Sequence, residues 1–299
     1  MNCQQFQAIV LAGERAGGNA LAQSLDLPAG VLAPLAGRTC IQRVMTTLRE
    51  SCSVSGGVLC GPSASVLREA PEISALLEPG DYSWLAPASG PAASALAAAE
   101  HLNSHPLLLT GADHGLLSTA TVDGFCKDAL VVGSGGHPPD IVVGLVPHER
   151  VREAFPDSKR TVLRFSDGAF CGSNLFAVTS EAGHRGLRFW SEVESFRKRP
   201  WKIAGRLGMM TLLRYVAGGL AVDHAFLALS LKAGCRVGWV PVPEPRAAVD
   251  VDTVADWELA CRLLEREKAA TGNPQHGTGP VEGGGKRPVG GPAESRPDP

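Results

Sequence analysis

QAIVLAGERAGGNALAQ, Gln7–Gln23, opens on an apolar run that stops at Ala12 and gives way to glycines, one acid and one arginine. The run reads as a buried strand. A glycine-bearing loop straight after it presents backbone N–H groups, which together with Arg15 suit a polyphosphate and a nucleobase. A plain turn has the same composition, and the spacing is neither the Walker lysine motif nor G-x-G-x-x-G. Taken alone, the loop leaves both readings open.

Outward from this strand the chain alternates short β-like runs with helical stretches. CIQRVMTTLRES (40–51) predicts a helix, GGVLCG (56–61) a strand, 63–70 a helix and YSWLA (82–86) a strand. PAASALAAAEHL (91–102) predicts a helix, and PLLLT (106–110) and DIVVGLV (140–146) predict strands. This order predicts an α/β fold: three layers, with a mostly parallel sheet flanked by helices and ligands bound beyond the carboxyl ends of the strands. TVLRFSDGAFCGSNLFAV (161–178) reads as two strands joined at Asp167-Gly168, a small hairpin set off from the main sheet. Residues 184–233 read as a helical excursion, an insertion that serves as a lid or a dimer surface, its last helix ending on Gly234. CRVGWVPVP (235–243) and AAVDVDT (247–253) return to strand before a last helix near Val254, capped by Thr253 and Asp256. One domain is expected over 1–268, followed by a disordered tail, 269–299. Residues 271–299 hold 8 Gly and 6 Pro in 29 positions and almost nothing apolar.

With 299 residues, 44% of them apolar, the chain can bury a sizeable core. Its net charge of −2 gives no field to gather nucleic acid or an anionic membrane, so phosphate binding must come from local groups. The N-terminus lacks a basic region followed by a long apolar core, and no apolar stretch reaches spanning length. A cytoplasmic protein is expected, monomer or homodimer, with neither nucleic acid nor membrane as partner. The 8 cysteines are scattered without a C-x-x-C pair and read as reduced, buried small hydrophobes.

Two further stretches carry acids that suit chemistry. In LLLTGADHGLL (107–117) Asp113 stands at the carboxyl end of a strand, where a carboxylate either holds a hard divalent cation or caps a turn. His114 beside it is either a ligand or proton carrier, or a loop histidine with neither role. In AAVDVDTVADWELA (247–260) Asp250 and Asp252 alternate along a strand and so point to the same side. A cation would relieve their repulsion; a helix cap and a solvated edge are the plainer readings.

The three stretches together resemble the signature of MobA-like NTP transferases. IVLAGERAGGNALAQSLDLPAGVLAPLAGRTCIQRV is similar to L-A-G-G-x, a variable loop and L-x-P-L-x-G-R-x-x-I; LLLTGADHGLL resembles their strand-plus-aspartate; VDVDTVADWELA resembles their D-x-D-T-x-x-D-L. The resemblance spans about residues 7–265 and implies a GT-A-like domain. Such enzymes move a nucleoside monophosphate from an NTP to an acceptor, usually a phosphate, and release pyrophosphate. It implies that Leu11, Ala12 and Gly13 line the nucleotide site with Arg15 at the triphosphate. Asp113 would bind Mg²⁺ together with Asp252 or Asp250. ASGPAASAL resembles the segment under the base, which points to Gly90 and Ser94, and GSNLFAV the acceptor-side strand, which points to Asn174.

The chain departs from the pattern twice. Gly30 stands at about the place of the family's phosphate-binding lysine, and Glu14 replaces the second glycine. The basic segment FRKRPWK, with Lys198 and Lys202, either replaces that cation, binds the acceptor's phosphate, or is a solvated face. A degenerate, non-catalytic nucleotide-binding member is the alternative. A nucleotide-sugar glycosyltransferase fits less well, because its D-x-D ends a mid-domain strand. A dinucleotide oxidoreductase lacks its glycine fingerprint here.

Overall fold

A computed structural model of the chain describes residues 4–14, 18–133, 138–196 and 208–271. The strands are β1 (Phe6–Leu11), β2 (Pro34–Leu35), β3 (Arg38–Thr39), β4 (Val54–Cys60), β5 (Tyr82–Leu85), β6 (Leu107–Gly111), β7 (Ile141–Pro147), β8 (Leu163–Phe165), β9 (Gly168–Val178) and β10 (Val237–Pro241). The helices are α1 (Ala20–Ser24), α2 (Cys40–Glu50), α3 (Ala64–Glu69), α4 (Pro71–Ala75), α5 (Pro91–Leu102), α6 (Thr119–Val131), α7 (His148–Ala154), α8 (Gly183–Ser195), α9 (Met209–Val216), α10 (Val222–Ala233) and α11 (Val254–Thr271). The main sheet runs β10-β7-β9-β6-β1-β4-β5, with β8 attached to β9. Every pairing along it is parallel except those of β9, which is antiparallel to both β6 and β7.

β1 is central because it can be buried on both faces. Phe6, Ala8 and Val10 enter a core shared with α2, α6, α7 and α11, while Ile9 enters the opposite core with Ala95, Ala98 and Ala99 of α5 and Leu187 of α8. Alternating side chains thus divide the helices into two layers around one sheet. α2 starts on a reciprocal cap, Thr39 with Gln42, and α10 ends on Gly234 in the left-handed conformation, as its sequence predicts.

Two expectations are corrected. The segment 161–178 forms the expected antiparallel hairpin, β8 paired with β9, but it is not set off from the sheet: β9 inserts between β6 and β7, and β8 extends from it. Glycine, serine and asparagine within CGSNLFAV suggest an edge, yet Cys171, Ser173, Leu175 and Ala177 are buried, and the Ser173 hydroxyl is satisfied by the Gly144 carbonyl at 2.8 Å. Residues 247–253 are not a strand either. Ala247 and Ala248 end a 3₁₀ turn (Pro245–Ala248), and 249–253 run irregularly into α11, whose first turn carries the expected Thr253–Asp256 contact. α11 continues to Thr271, into the segment assigned to the tail; 272–299 lie outside the described residues. Among the described residues no helix is long and apolar enough to cross a membrane.

Candidate active site

The carboxyl edge of the sheet is knit by backbone bonds. Ala12 N–H donates to the Cys60 carbonyl (2.8 Å), Ala112 N–H to Leu11 (2.9 Å) and Gly61 N–H to Leu85 (2.8 Å). Leu11 and Ala12 are thereby fixed between β4 and β6, and Gly13 emerges into solvent. A Cβ on Gly13 would stand 3.2 Å from Pro87 Cβ, so the first loop and the 86–90 loop lie side by side. Gly90 forms the far end of that loop. Ser94 is buried, and its hydroxyl accepts the Ala88 N–H at 2.9 Å, so Ser94 shapes the loop from beneath.

Asp113 follows β6 by two residues. Its carboxylate folds back over Gly111, where any Cβ would overlap Oδ1. The Val251 N–H donates to the Asp113 carbonyl at 3.0 Å, joining the second and third motif stretches. Burial pushes the Cys40 thiol up, with Asp113 and, more weakly, Asp252 adding to the effect; both carboxylates act on this one side chain. Asp250 is engaged by a side chain from outside the three motif stretches: its Oδ1 accepts from Arg160 Nη1 at 2.5 Å. Among the described residues no group of three or more His, Cys, Asp or Glu side chains is arranged to hold a metal ion.

His114, 1% exposed, lies beneath this edge, next to Asp113 in sequence. Burial pushes its pKa down to about 4, Asp250 opposes and Arg160 reinforces, so the ring is neutral at pH 7. The Asn174 Nδ2 lies 3.3 Å from Nε2, and since an amide nitrogen only donates, Nε2 is the acceptor. Asn174 takes a left-handed φ of 51° where the β7–β9 register breaks near Gly144. Sequence reasoning missed Arg160 because its partners are 90 and 96 residues away and nothing local distinguishes it from a loop arginine. Arg15, Lys198 and Lys202 lie outside the described residues.

The sequence matches the MobA-like NTP transferase domain over residues 8–186, more than half of the chain. The chain belongs to the MobA-like NTP transferase family. No match was found among the curated proteins. Of solved structures, a hypothetical transferase from Thermus thermophilus is 25% identical, with a TM-score of 0.70 over 85% of this chain and 100% of that one. A CMP:2-keto-3-deoxy-manno-octonic acid synthetase complexed with CTP shares the fold at 11% identity and TM-score 0.55, over 88% of this chain and 100% of that one. A nucleotidyl transferase from Methanothermobacter thermautotrophicus shares it at 17% identity and TM-score 0.51, over 88% and 99%. The closing D-x-D-T stretch lies beyond the family match, so its place beside Asp113 is known from geometry alone.

In this MobA-like NTP transferase the two departures from the family pattern face each other. The Glu14 carboxylate accepts the Gly30 N–H at 2.9 Å. Asn19, which caps α1 through Leu21 N–H and Ala22 N–H, places its amide where a Cβ on Gly30 would lie. A lysine at position 30 has no room while Asn19 caps α1, and Glu14 occupies the backbone donor.

Proposed function

We propose that the chain transfers a nucleoside monophosphate from an NTP to a phosphorylated small-molecule acceptor and releases pyrophosphate. The observation that carries this reading is the Val251-to-Asp113 backbone bond, which gathers the two motif acids at the carboxyl edge beside Leu11–Gly13. Leu11, Ala12, Gly13 and Gly90 line the nucleotide side, Ser94 supports their loop, and Arg15 meets the triphosphate. In this reading Asn174, Lys198 and Lys202 serve the acceptor. An acceptor phosphate oxygen attacks the α-phosphorus in line; the bond from that phosphorus to the bridging oxygen breaks and pyrophosphate leaves opposite. The chain contributes alignment and electrostatic help.

Mg²⁺ fits the donor set of Asp113 and Asp252: two hard carboxylates, with the Gly111 hollow beneath one of them, leave positions for substrate phosphates. When bound, the ion supplies positive charge to phosphate oxygens. The reading calls for a cytoplasmic monomer or homodimer with no nucleic-acid or membrane partner.

A pyrophosphate-release screen of four NTPs against phosphorylated acceptors with Mg²⁺ tests it. Asp113→Ala is expected to lower release by at least about 10²–10³-fold while melting is unchanged; unchanged release overturns the assignment. The Glu14–Gly30 bond favours one second reading, a degenerate member that binds nucleotide without turnover. Calorimetric binding of an NTP with no release on any acceptor supports that one.

A further inference from the structure

Arg160 lies between α7 and β8, and its side chain is only 8% exposed. Each nitrogen of its guanidinium is committed. Nε donates to Ser158 Oγ at 3.0 Å, Nη1 to Asp250 Oδ1 at 2.5 Å and more loosely to the Asp250 carbonyl at 3.5 Å, and Nη2 to the Asp256 carboxylate. One planar fork therefore grips the segment before α11 at Asp250 and the first turn of α11 at Asp256, with Asp252 between them in sequence. The turn is fixed independently by its apolar residues. Val249 and Val251 are only 0% and 1% exposed, and the Val251 N–H is held by the Asp113 carbonyl. With the valines inward, Asp250 drawn to Arg160 and the Val251 N–H on the Asp113 carbonyl, Asp252 is the remaining acid of this turn next to Asp113.

We propose that Arg160 is a positioning residue of the active site: by clamping Asp250 and Asp256 it fixes the turn between them so that Asp252 stands beside Asp113 as a two-carboxylate cation site. This rests on the reading of Asp113 and Asp252 given above. It gives the two acids of Asp250-Val251-Asp252 different tasks, one holding the clamp and the other facing the ligand.

Electrostatics and positioning predict opposite signs for Arg160, which makes the inference testable. Removing a buried cation and releasing Asp250 should strengthen cation binding if charge alone matters. Loss of the clamp should weaken it, in the range of about 10–100-fold seen when supporting partners of ligands are removed. The full chain is titrated with Tb³⁺, a hard cation that takes oxygen ligands, and binding is read by luminescence alongside a melt of each variant. Arg160→Met is expected to weaken Tb³⁺ binding about tenfold or more. Asp256→Ala, which removes one arm of the clamp, should give a smaller loss. Asp250→Asn, which keeps an oxygen acceptor for Nη1, should bind within about threefold of the parent, whereas Asp252→Asn should lose at least about tenfold. If Arg160→Met does not fold, Arg160→Lys, which cannot bridge both carboxylates, takes its place. Unchanged or tighter binding in the folded Arg160 variant overturns the inference, as does a loss in Asp250→Asn equal to that in Asp252→Asn. Binding that survives Asp113→Asn and Asp252→Asn alike overturns the reading of the site itself.

Discussion

Gly111 ends β6 in register with Leu11, and the Asp113 carboxylate occupies the space a side chain there would need. The φ of Gly111 is not positive, so alanine strains no backbone; what must move is the carboxylate, the far end of a short side chain. Gly111→Ala should therefore separate folding from function. Melting is expected to stay within about 2 °C of the parent, while pyrophosphate release falls about 10²-fold, the cost of roughly an ångström of misplacement at a reacting centre. Parent-level turnover in the folded variant would show that the Asp113 position is not needed. Asn19 and Glu14 illustrate the same economy at the first loop: one caps α1 and fills the space beside Gly30, the other accepts the Gly30 N–H, so two side chains settle a short loop in place of a lysine.

α5 begins on Gly90 and Pro91, neither of which supplies a side-chain cap. The missing acceptor comes from another element. Glu194, in the last turn of α8, accepts the Ala92 N–H at 3.0 Å and fills the space over Gly90. An acid at the carboxyl end of its own helix is unfavourable and at the amino end of a neighbour favourable, so α8 is tied to α5 where the 86–90 loop ends. Glu194→Ala should destabilise the chain by about 1 kcal/mol, or roughly 3 °C in melting temperature, and Glu194→Gln by less. An unchanged melt for Glu194→Ala would mean that water replaces the cap without loss. This contact also shows where the sequence stops being readable. Strands β1 and β6 announce themselves through apolar runs, α5 through its alanine-rich run, and α2 and α10 through local caps. Asp113 and the acids before α11 announce themselves by motif. The insertion of β9 depends on Gly144 leaving room for Ser173, and the pairing of Asp250 depends on an arginine 90 residues away, so neither leaves a local trace.

Across the whole molecule the two edges of the sheet have different tasks. The carboxyl edge carries Gly13, Asp113 and Asn174, while the opposite edge carries Asp140, which is 8% exposed and fixes three segments at once. Asp140 accepts from the Ser180 hydroxyl and the Arg236 N–H, both at 2.7 Å, and its carbonyl accepts the Thr179 N–H at 3.0 Å. It thereby joins the starts of β7 and β10 to the turn into α8. Burial alone would raise its pKa, but the bonds from Ser180 and Arg236 outweigh it and hold the carboxyl below its ordinary 3.8. For an acid whose folded pKa is depressed, the stabilisation is fully present above the unfolded pKa and is lost as pH falls through the folded one. The Asp140 contribution should thus be constant from neutral pH down to about 4 and disappear below that. Asp140→Asn keeps the shape and loses the charge-assisted bonds, at an expected cost of about 1–3 kcal/mol near neutrality. Its stability measured by urea unfolding should run below that of the parent at pH 7 and approach it only in acid, as the pH falls through the depressed pKa and the parent's own carboxyl takes up its proton. Because Asp140 lies at the edge away from the loops that gather Asp113, pyrophosphate release by the folded variant should equal that of the parent. A pH-independent gap between the two curves would mean that packing, and not the charge of this carboxylate, fastens that edge.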